Sequence, residues 1–397
     1  MARGWPKITY TEQSMREGMQ IEDASIPVED KIRLLDALSE TGLKEIVVGS
    51  FVSPRYTPQM ARIDEIVKGF HPKPGVRYTC LTMNERGVER AKQYVPPLSL
   101  ERRGPPTLTG TLDDIFLRRN ANRSQFDGLA QWPKIVAAAQ ERGVKEAGIG
   151  VGHPWGGNFI GRLPAEVPLK MLAKAHEFWD AAGIRVTHCS MSDTMGWNMP
   201  HLVKQTLATI KERWPEVTNW SFHLHNARGT ALATAWTIMD TLTSEDSVHL
   251  DGTIGGFGGC PYCGHGRATQ MIPTEDLMNM LDEMGIDMGV HIKKLIECVW
   301  MAEEILGRQL MGHVSKAGWS PRNFRELFDP SAPFVETFEQ AKHFMLGPKV
   351  YEGGIYPWDK PITSPYRDRL EQGLPAYEID GDWPWNQPFF PKPAQKP

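Results

Sequence analysis

The sequence has few cysteines, no long apolar run and no excess of positive charge, and each shortage excludes a class of protein. Its five cysteines are an odd number spread over 397 residues, which suits free thiols in a reducing compartment better than a disulfide framework. Nowhere do about 18 consecutive apolar residues occur, and the first ten residues lack the regions of a secretory signal. The formal net charge of −4 offers no basic field to nucleic acid. We therefore expect a soluble, cytoplasmic protein that binds neither nucleic acid nor membrane.

A repeating pattern of short apolar runs and longer helical stretches predicts an α/β fold. With 41% hydrophobic and 23% charged residues, the chain can bury the core of one large barrel with an appendage, or of two ordinary domains. Eight βα units match a closed (β/α)₈ barrel, although periodicity alone leaves a doubly wound open sheet possible. The predicted strands are 7–10, 44–49, 76–81, a less regular run within 107–112, 146–151, 184–191, 220–225 and 248–253.

The composition changes beyond Gly318, where proline and aromatic residues become frequent and regular periodicity ends. The sequence therefore predicts a barrel domain over residues 1–318 and an irregular extension over residues 319–397. The extension contains the large aromatic residues Trp358, Trp383, Trp385, Phe389 and Phe390. Disordered tails are depleted of such residues, so we expect the extension to pack on the barrel or on a partner subunit.

Candidate reacting groups fall at the carboxyl ends of the predicted strands, where barrel enzymes carry their active sites. Arg16 and Glu17 lie in the loop after strand 1, and His223 and His225 alternate on strand 7. Residues i and i+2 of a strand face the same side, and closure of a barrel places strand 8 between strands 7 and 1. Two imidazoles and a carboxylate with open positions suit Mg²⁺, Mn²⁺, Fe²⁺ or Zn²⁺ acting as a Lewis acid.

Each of these features also has a structural interpretation. A His-x-His pair in a strand is often only packed, and Arg16 and Glu17 could pair with each other in solvent. The segment Cys260-Pro-Tyr-Cys263 is compatible with zinc or redox chemistry, but a single CxxC without a second pair is a weak signal. Its flanking glycines favour a mobile loop whose thiol acts as acid or base. Three further histidines are left unassigned: His153, His188 and His249.

Taken together, these segments resemble the 3-hydroxy-3-methylglutaryl-CoA lyase branch of the DRE-TIM metallolyases. The resemblance spans about residues 5–317 and rests on five segments, of which Gly258-Gly259-Cys260-Pro261-Tyr262 is the most specific. The others are Glu12 to Gln20, Ser50 to Pro54 with Pro58 to Met60, Ser192 to Gly196, and His223 to Asn226 with the following Gly229 and Ala231 to Ala233.

The resemblance implies a divalent cation, Mg²⁺ or Mn²⁺ before Zn²⁺ or Fe²⁺, an acyl-CoA substrate and retro-Claisen cleavage through an enolate. Independently of the resemblance, we expect a homo-oligomer, because barrels with aromatic appendages often associate. By position, Glu17, His223, His225 and Gln270 correspond to metal ligands, with Thr269 or water as alternatives to Gln270. Arg16 corresponds to the enolate stabiliser, Cys260 to the loop acid or base and Asp193 to a supporting polar group, and Glu12 is counted with these catalytic residues.

Three positions depart from the pattern of these lyases. Glu17 stands where they have Asp, Val47 stands where they have a catalytic Glu, and Thr269 or Gln270 stands where they have an Asn ligand. We therefore expect a related 3-hydroxy-3-substituted acyl-CoA rather than 3-hydroxy-3-methylglutaryl-CoA itself. The alternatives are a Claisen-type synthase that condenses an acyl-CoA with a keto acid, a CoA-independent aldolase, and a non-catalytic metal-binding protein.

Overall fold

The computed structural model describes residues 4–101, 104–264 and 269–378. The chain divides after Ser315 into two compact units. Trp383, Trp385, Phe389 and Phe390 of the predicted extension, and residues 265–268 of the glycine-rich loop, lie outside the described residues. None of the described helices is long and apolar enough to cross a membrane.

The first unit is built on one eight-stranded parallel sheet with helical crossovers, which confirms the predicted (β/α)₈ class. The strand order is β3-β2-β1-β8-β7-β6-β5-β4, so the first and last strands of the chain are neighbours, as a barrel requires. The strands are β1 Lys7–Glu12, β2 Glu45–Ser50, β3 Arg77–Leu81, β4 Thr107–Thr111, β5 Glu146–Gly152, β6 Arg185–Asp193, β7 Asn219–Leu224 and β8 Ser247–Gly252.

The junction between β3 and β4 differs from the other seven. Among the described residues no ladder joins these two strands. Leu98 instead forms a single parallel bridge with Tyr78 of β3, and the N–H of Ser99 donates to the carbonyl of Tyr78. The connection there runs through Pro96, Pro97, Pro105 and Pro106, which have no N–H to offer a neighbouring strand.

Helices follow the strands and cover the sheet. The principal ones are α1 Val28–Ser39, α2 Ile63–Gly69, α3 Glu85–Lys92, α4 Asp114–Ala121, α5 Gln125–Leu129, α6 Trp132–Glu141, α7 Glu166–Ala181, α8 Pro200–Arg213, α9 Ala231–Thr241, α10 Thr274–Glu283 and α11 Ile292–Leu306. Asn84 caps α3, because its side chain accepts from the N–H of Gly87. Helices α4, α5 and α11 were not predicted from the sequence, although Ser124 and Asp127 form a capping box at the start of α5.

The barrel interior is polar rather than aliphatic. Inward positions carry small hydroxyl residues and glycine, and a cavity of about 540 Å³ lies among the amino-terminal halves of the strands, lined by Thr9, Thr107, Thr109, Ser190, Ser221 and His249 among others. Neighbouring hydroxyl groups leave no room for a side chain at Gly148 or Gly150. A Cβ added at Gly148 would lie 2.5 Å from the hydroxyl of Thr107, and one added at Gly150 would lie 2.6 Å from the hydroxyl of Thr109. Barrel interiors are usually filled by branched aliphatic side chains, so the core of this unit lies mainly between sheet and helices.

The second unit is a run of short elements within the described part of residues 316–378. It contains helices Phe338–Ala341, His343–Leu346 and Pro365–Glu371 and two 3₁₀ turns, Phe324–Glu326 and Pro348–Tyr351. Ser364 caps the last of these helices by accepting from the N–H of Arg367. That this extension packs on the barrel or on a partner stays a prediction.

Candidate active site

The loop after β1 is shaped by one π-helical turn, Ser14–Gly18, which carries Arg16 and Glu17. The carbonyl of Gln13 accepts from the N–H groups of both Arg16 and Gly18, at 3.0 and 3.1 Å. Single π turns widen a helix locally and often occur at functional sites. Here the wide turn carries the side chains of Arg16 and Glu17, which contact each other, and Oε1 of Glu17 lies 3.7 Å from Nε2 of His225.

Glu12 has a different environment from Glu17, although both belong to this loop. One of its carboxylate oxygens accepts from the N–H and the hydroxyl of Ser14, and the other accepts from the hydroxyls of Thr274 and Tyr10. Burial raises its pKa from 4.5 to about 7. These contacts give Glu12 the role of anchoring the turn, and the catalytic role suggested by the sequence stays a prediction.

Glu17, His223 and His225 come together at the carboxyl end of the barrel, with their ligand atoms within 4.8 Å of one another. The Nε2 atoms of the two histidines lie 3.1 Å apart, and Oε1 of Glu17 lies 3.7 Å from Nε2 of His225. His225 and Glu17 are buried, whereas the His223 side chain is 21% exposed. Solvent therefore reaches the cluster on the side of His223, whereas Glu17 and His225 are enclosed by the protein.

The partners of the two imidazoles decide which ring nitrogen is available. Nδ1 of His223 lies 2.9 Å from Oδ2 of Asp251, and Nδ1 of His225 lies 2.9 Å from the carbonyl oxygen of Thr269. A carbonyl and a carboxylate can only accept, so each Nδ1 carries the proton and each Nε2 presents a lone pair. Two lone pairs and a carboxylate that face one another at these distances suit a divalent cation, so the donor set fits the group.

Arg16 supplies the positive charge beside this cluster. Its guanidinium contacts Oε2 of Glu17, which leaves Oε1 facing His225. Burial lowers the pKa of His225 well below its usual range. A neutral imidazole is the form that binds a metal ion, so the pocket keeps His225 ready for that role.

Asp193, at the end of β6, supports the cluster through the chain that follows it. Its Oδ2 accepts from both the backbone N–H and the side-chain amide of Asn198, each at 2.6 Å. The same amide donates to the carbonyl of His225 at 2.8 Å. Asp193 thus fixes the backbone of a histidine through Asn198. The supporting role that the resemblance implies stays a prediction.

The glycine-rich loop after β8 lies directly against the strand 1 loop. The N–H of Gly259 donates to the carbonyl of Glu17, and the side-chain amide of Gln20 donates to the carbonyl of Gly259. A Cβ at Gly258 would lie 2.3 Å from Cα of Gly18, and a Cβ at Gly259 would lie 1.6 Å from the hydroxyl of Thr269. Only glycine permits this approach of the loop that carries Cys260 to the strand 1 loop.

The Cys260 thiol is buried and electrostatically coupled to the site. Its pKa is lowered, mainly by a hydrogen bond with the Cys263 side chain, with further contributions from the N–H of Tyr262 and the positive charge of Arg16, against the opposing effect of burial. All five cysteines are free thiols.

Gln270 and Thr269 contribute main-chain groups to the site. The carbonyl of Gln270 accepts from the N–H of Asn226, and that of Thr269 accepts from the His225 ring. Gln270 has a positive φ of 28°, an uncommon conformation for a residue other than glycine. A ligand role for the Gln270 side chain stays a prediction.

Three functional neighbours escaped the sequence analysis. Asp251 orients His223, and an inward-facing Asp on β8 beside the histidine strand was the available signal. Asn198 bridges Asp193 to His225, and nothing local in the sequence marks it. His153, left unassigned, is buried at φ +58° with Nε2 2.6 Å from the Thr194 hydroxyl, and burial lowers its pKa to about 4.

Comparison with known proteins shows which family the chain belongs to. Residues 7–301 match the HMGL-like family model. The chain is 32% identical over 314 residues to mitochondrial hydroxymethylglutaryl-CoA lyase of Mus musculus, covering 78% of this chain and 89% of that protein. It is 31% identical over 293 residues to the cytoplasmic 3-hydroxy-3-methylglutaryl-CoA lyase of Homo sapiens, covering 73% of each.

A solved structure gives the same result for the fold. An HMG-CoA lyase from Acinetobacter baumannii, in complex with coenzyme A and 3-methylmalate, superposes with a TM-score of 0.62 and 26% identity, covering 79% of this chain and 95% of that one. These likenesses favour a lyase over the condensing synthase, the CoA-independent aldolase and the non-catalytic protein. The chain belongs to the HMGL-like family and is an enzyme of its hydroxymethylglutaryl-CoA lyase branch.

Proposed function

We propose that this enzyme cleaves a 3-hydroxy-3-substituted acyl-CoA into an acyl-CoA and a ketone or keto acid, through the enolate of the departing thioester. The observation that carries the proposal is the convergence of Glu17, His223 and His225 at the open end of the barrel, with Arg16 and Cys260 beside them. The relatives named above act on 3-hydroxy-3-methylglutaryl-CoA, and a related structure binds coenzyme A.

Glu17, His223 and His225 would hold a divalent cation, and Gln270, Thr269 or water would complete the site. Such an ion acts as a Lewis acid that acidifies the substrate hydroxyl. We propose Mg²⁺ or Mn²⁺, with Zn²⁺ or Fe²⁺ as the less favoured ions, because the resemblance to the metallolyases implies this order; the carboxylate oxygen suits the first pair, and the two imidazoles also suit the second. Asp251 and the Thr269 carbonyl keep both rings in the tautomer that presents Nε2.

The remaining residues handle charge and protons. A base takes the proton of the substrate hydroxyl, and that oxygen becomes the carbonyl oxygen of the departing ketone or keto acid. The electron pair of the carbon–carbon bond passes at the same time to the thioester carbonyl and forms the enolate. The Arg16 guanidinium stabilises the negative oxygen as it develops, which lowers the barrier rather than tightening binding. The Cys260 thiol then donates its proton to the enolate carbon, and the lowered pKa of Cys260 makes it a better donor.

The proposal also concerns the substituent at C3 of the acyl group. Val47 is buried on β2 and, by strand alternation, shares the inward face with Glu45, which lines the barrel interior. An apolar residue there offers no hydrogen bond to a polar branch. We therefore propose that the preferred substrate carries a branch other than that of 3-hydroxy-3-methylglutaryl-CoA.

The test is product analysis with a panel of thioesters. The purified protein is incubated with Mg²⁺ or Mn²⁺ and with 3-hydroxy-3-methylglutaryl-CoA or analogues that differ at C3, and products are identified by mass spectrometry. We expect an acyl-CoA and an equimolar carbonyl compound, best with an analogue of altered branch. Condensation of added acyl-CoA and keto acid without any cleavage would instead establish a synthase and refute the proposal.

Metal binding is measured separately from turnover. His223→Ala should lose bound Mn²⁺ in equilibrium dialysis and lose turnover, whereas His201→Ala, which removes an exposed histidine from α8, should retain both. Retention of stoichiometric metal by the His223 variant would remove His223 from the ligand set.

We further propose a cytoplasmic location and a homo-oligomer. A cytoplasmic relative of 31% identity and the five free thiols support the first. Cell fractionation with an antibody against the chain tests the location, and light scattering coupled to gel filtration tests the oligomer. Recovery of the chain in an organelle fraction, or a monomeric mass at micromolar concentration, would contradict the respective proposal.

A further inference from the structure

The second cysteine of the glycine-rich loop has no role in the mechanism above. Cys260 and Cys263 occupy one tight turn, in which the N–H of Cys263 lies 3.4 Å from the carbonyl of Cys260. Both side chains are buried, and they form one apolar cluster with Phe116 and Met195. The turn therefore points both sulfur atoms into the protein rather than into solvent.

Cys263 and its neighbour also form hydrogen bonds with other segments of the barrel. Its Sγ lies 3.1 Å from the carbonyl of Thr194, in the loop after β6. The side-chain amide of Asn158 donates to the carbonyl of Cys263 at 2.7 Å, and Nε of Arg119 donates to the carbonyl of Tyr262 at 2.9 Å. These bonds come from three separate segments, so Cys263 occupies a fixed position while its thiol proton can rotate.

We propose that Cys263 is a positioning residue for Cys260: its S–H group donates a hydrogen bond to the Cys260 sulfur and stabilises that sulfur as a thiolate over the site. This inference rests on the proposed function, in which Cys260 exchanges a proton with the substrate. The Cys263 proton has two acceptors within reach, the Thr194 carbonyl and the Cys260 sulfur. It turns to Thr194 when Cys260 is protonated and to Cys260 when the latter is a thiolate.

The surrounding charges favour this direction of the hydrogen bond. The positive guanidinium of Arg16 in the strand 1 loop acts electrostatically on Cys260, whereas the carboxylate of Asp193 on β6 acts on Cys263. The hydrogen bond from Cys263 lowers the pKa of Cys260, and the same bond together with burial raises the pKa of Cys263 far above that of an ordinary thiol. Cys263 thus keeps its proton while Cys260 gives its proton up.

The test measures the reactivity of Cys260 as a function of pH in Cys263→Ala and Cys263→Ser. The full-length protein is treated with iodoacetamide under reducing conditions between pH 6 and 10, and alkylation of Cys260 is followed by peptide mass spectrometry. Only the thiolate reacts, so the midpoint of the rate profile reports the pKa of Cys260. For Cys263→Ala we expect the midpoint to rise by about one pH unit, which lowers the rate at pH 7 by roughly tenfold.

Cys263→Ser should restore part of this difference, because a hydroxyl can still donate to the thiolate. Cys298→Ala, which removes a buried thiol from α11, is the matched control and should leave the Cys260 midpoint unchanged. Thermal denaturation of each variant establishes that it is folded. An unchanged midpoint in folded Cys263→Ala would overturn the inference and leave Cys263 with only a packing role.

The same variants separate this inference from the proposed function. If wild-type protein cleaves no thioester but the Cys260 midpoint shifts as expected, the proposed function fails and the pairing of the two thiols stands. If wild-type protein cleaves thioesters and the midpoint does not shift, the proposed function stands and the pairing of the two thiols fails. In the pH profile of kcat, we expect the limb that depends on Cys260 to move with the alkylation midpoint.

Discussion

Replacing the buried Glu12 by Gln should change the pH dependence of stability in a calculable way. The pKa of Glu12 is raised from 4.5 to about 7 in the folded protein, mainly by burial. The folded state therefore binds the proton more tightly than the unfolded chain, so stability falls as the pH rises from 4.5 towards 7. At about 1.4 kcal/mol per pH unit, complete ionisation costs the folded state about 3 kcal/mol, and most of this loss occurs between pH 5 and 7.

Gln is a close substitute for the protonated side chain. Its amide oxygen can accept from Ser14 as the carboxylate does, and its NH₂ group can donate to the hydroxyl of Thr274, which can turn to accept. Glu12→Gln should therefore match wild type near pH 5 and exceed its free energy of unfolding by about 2–3 kcal/mol at pH 8. The control Glu141→Gln, which alters an exposed residue of α6, should show no such trend.

The assay is urea unfolding, followed by tryptophan fluorescence at several pH values between 5 and 8. A difference between Glu12→Gln and wild type that does not grow with pH would refute the reasoning. Steady-state turnover of the same variant examines the catalytic role suggested by the sequence. If Glu12 only anchors the π turn, kcat should stay within a few-fold of wild type, whereas a loss of about 10²-fold or more would indicate a role in proton transfer.

Three further substitutions examine the groups around the cluster. Asp251→Asn removes the charge that orients His223 and should weaken Mn²⁺ binding by about 10–100-fold in titration calorimetry; unchanged affinity would exclude this role. Arg16→Lys should lower kcat by about 10²-fold with little change in KM, whereas a change confined to KM would point to substrate binding instead. Asn198→Ala should lower the free energy of unfolding by about 1–3 kcal/mol, and wild-type stability would show that its bonds to Asp193 and His225 contribute little.

The strands and most of the helices of the barrel followed from the sequence, because side chains alternate along a strand and repeat every 3.6 residues along a helix. The same alternation placed His223 and His225 on one face of the predicted seventh strand, and strand ends marked Arg16 and Glu17. The short helices α4 and α5 were missed because each has little periodicity, and only their caps distinguish them from loop. The longer helix α11 was not predicted either.

The tertiary structure alone decides which side chains contact one another. Glu12 and Glu17 are five positions apart in one loop, yet one is bound to Ser14 and Thr274 and the other faces His225. The tautomers of the histidines depend on Asp251 and on the carbonyl of Thr269, which lie 28 and 44 residues away. Local sequence encodes which face a side chain occupies, because that depends on backbone geometry. Its partner across the barrel is fixed only when closure brings distant strands together.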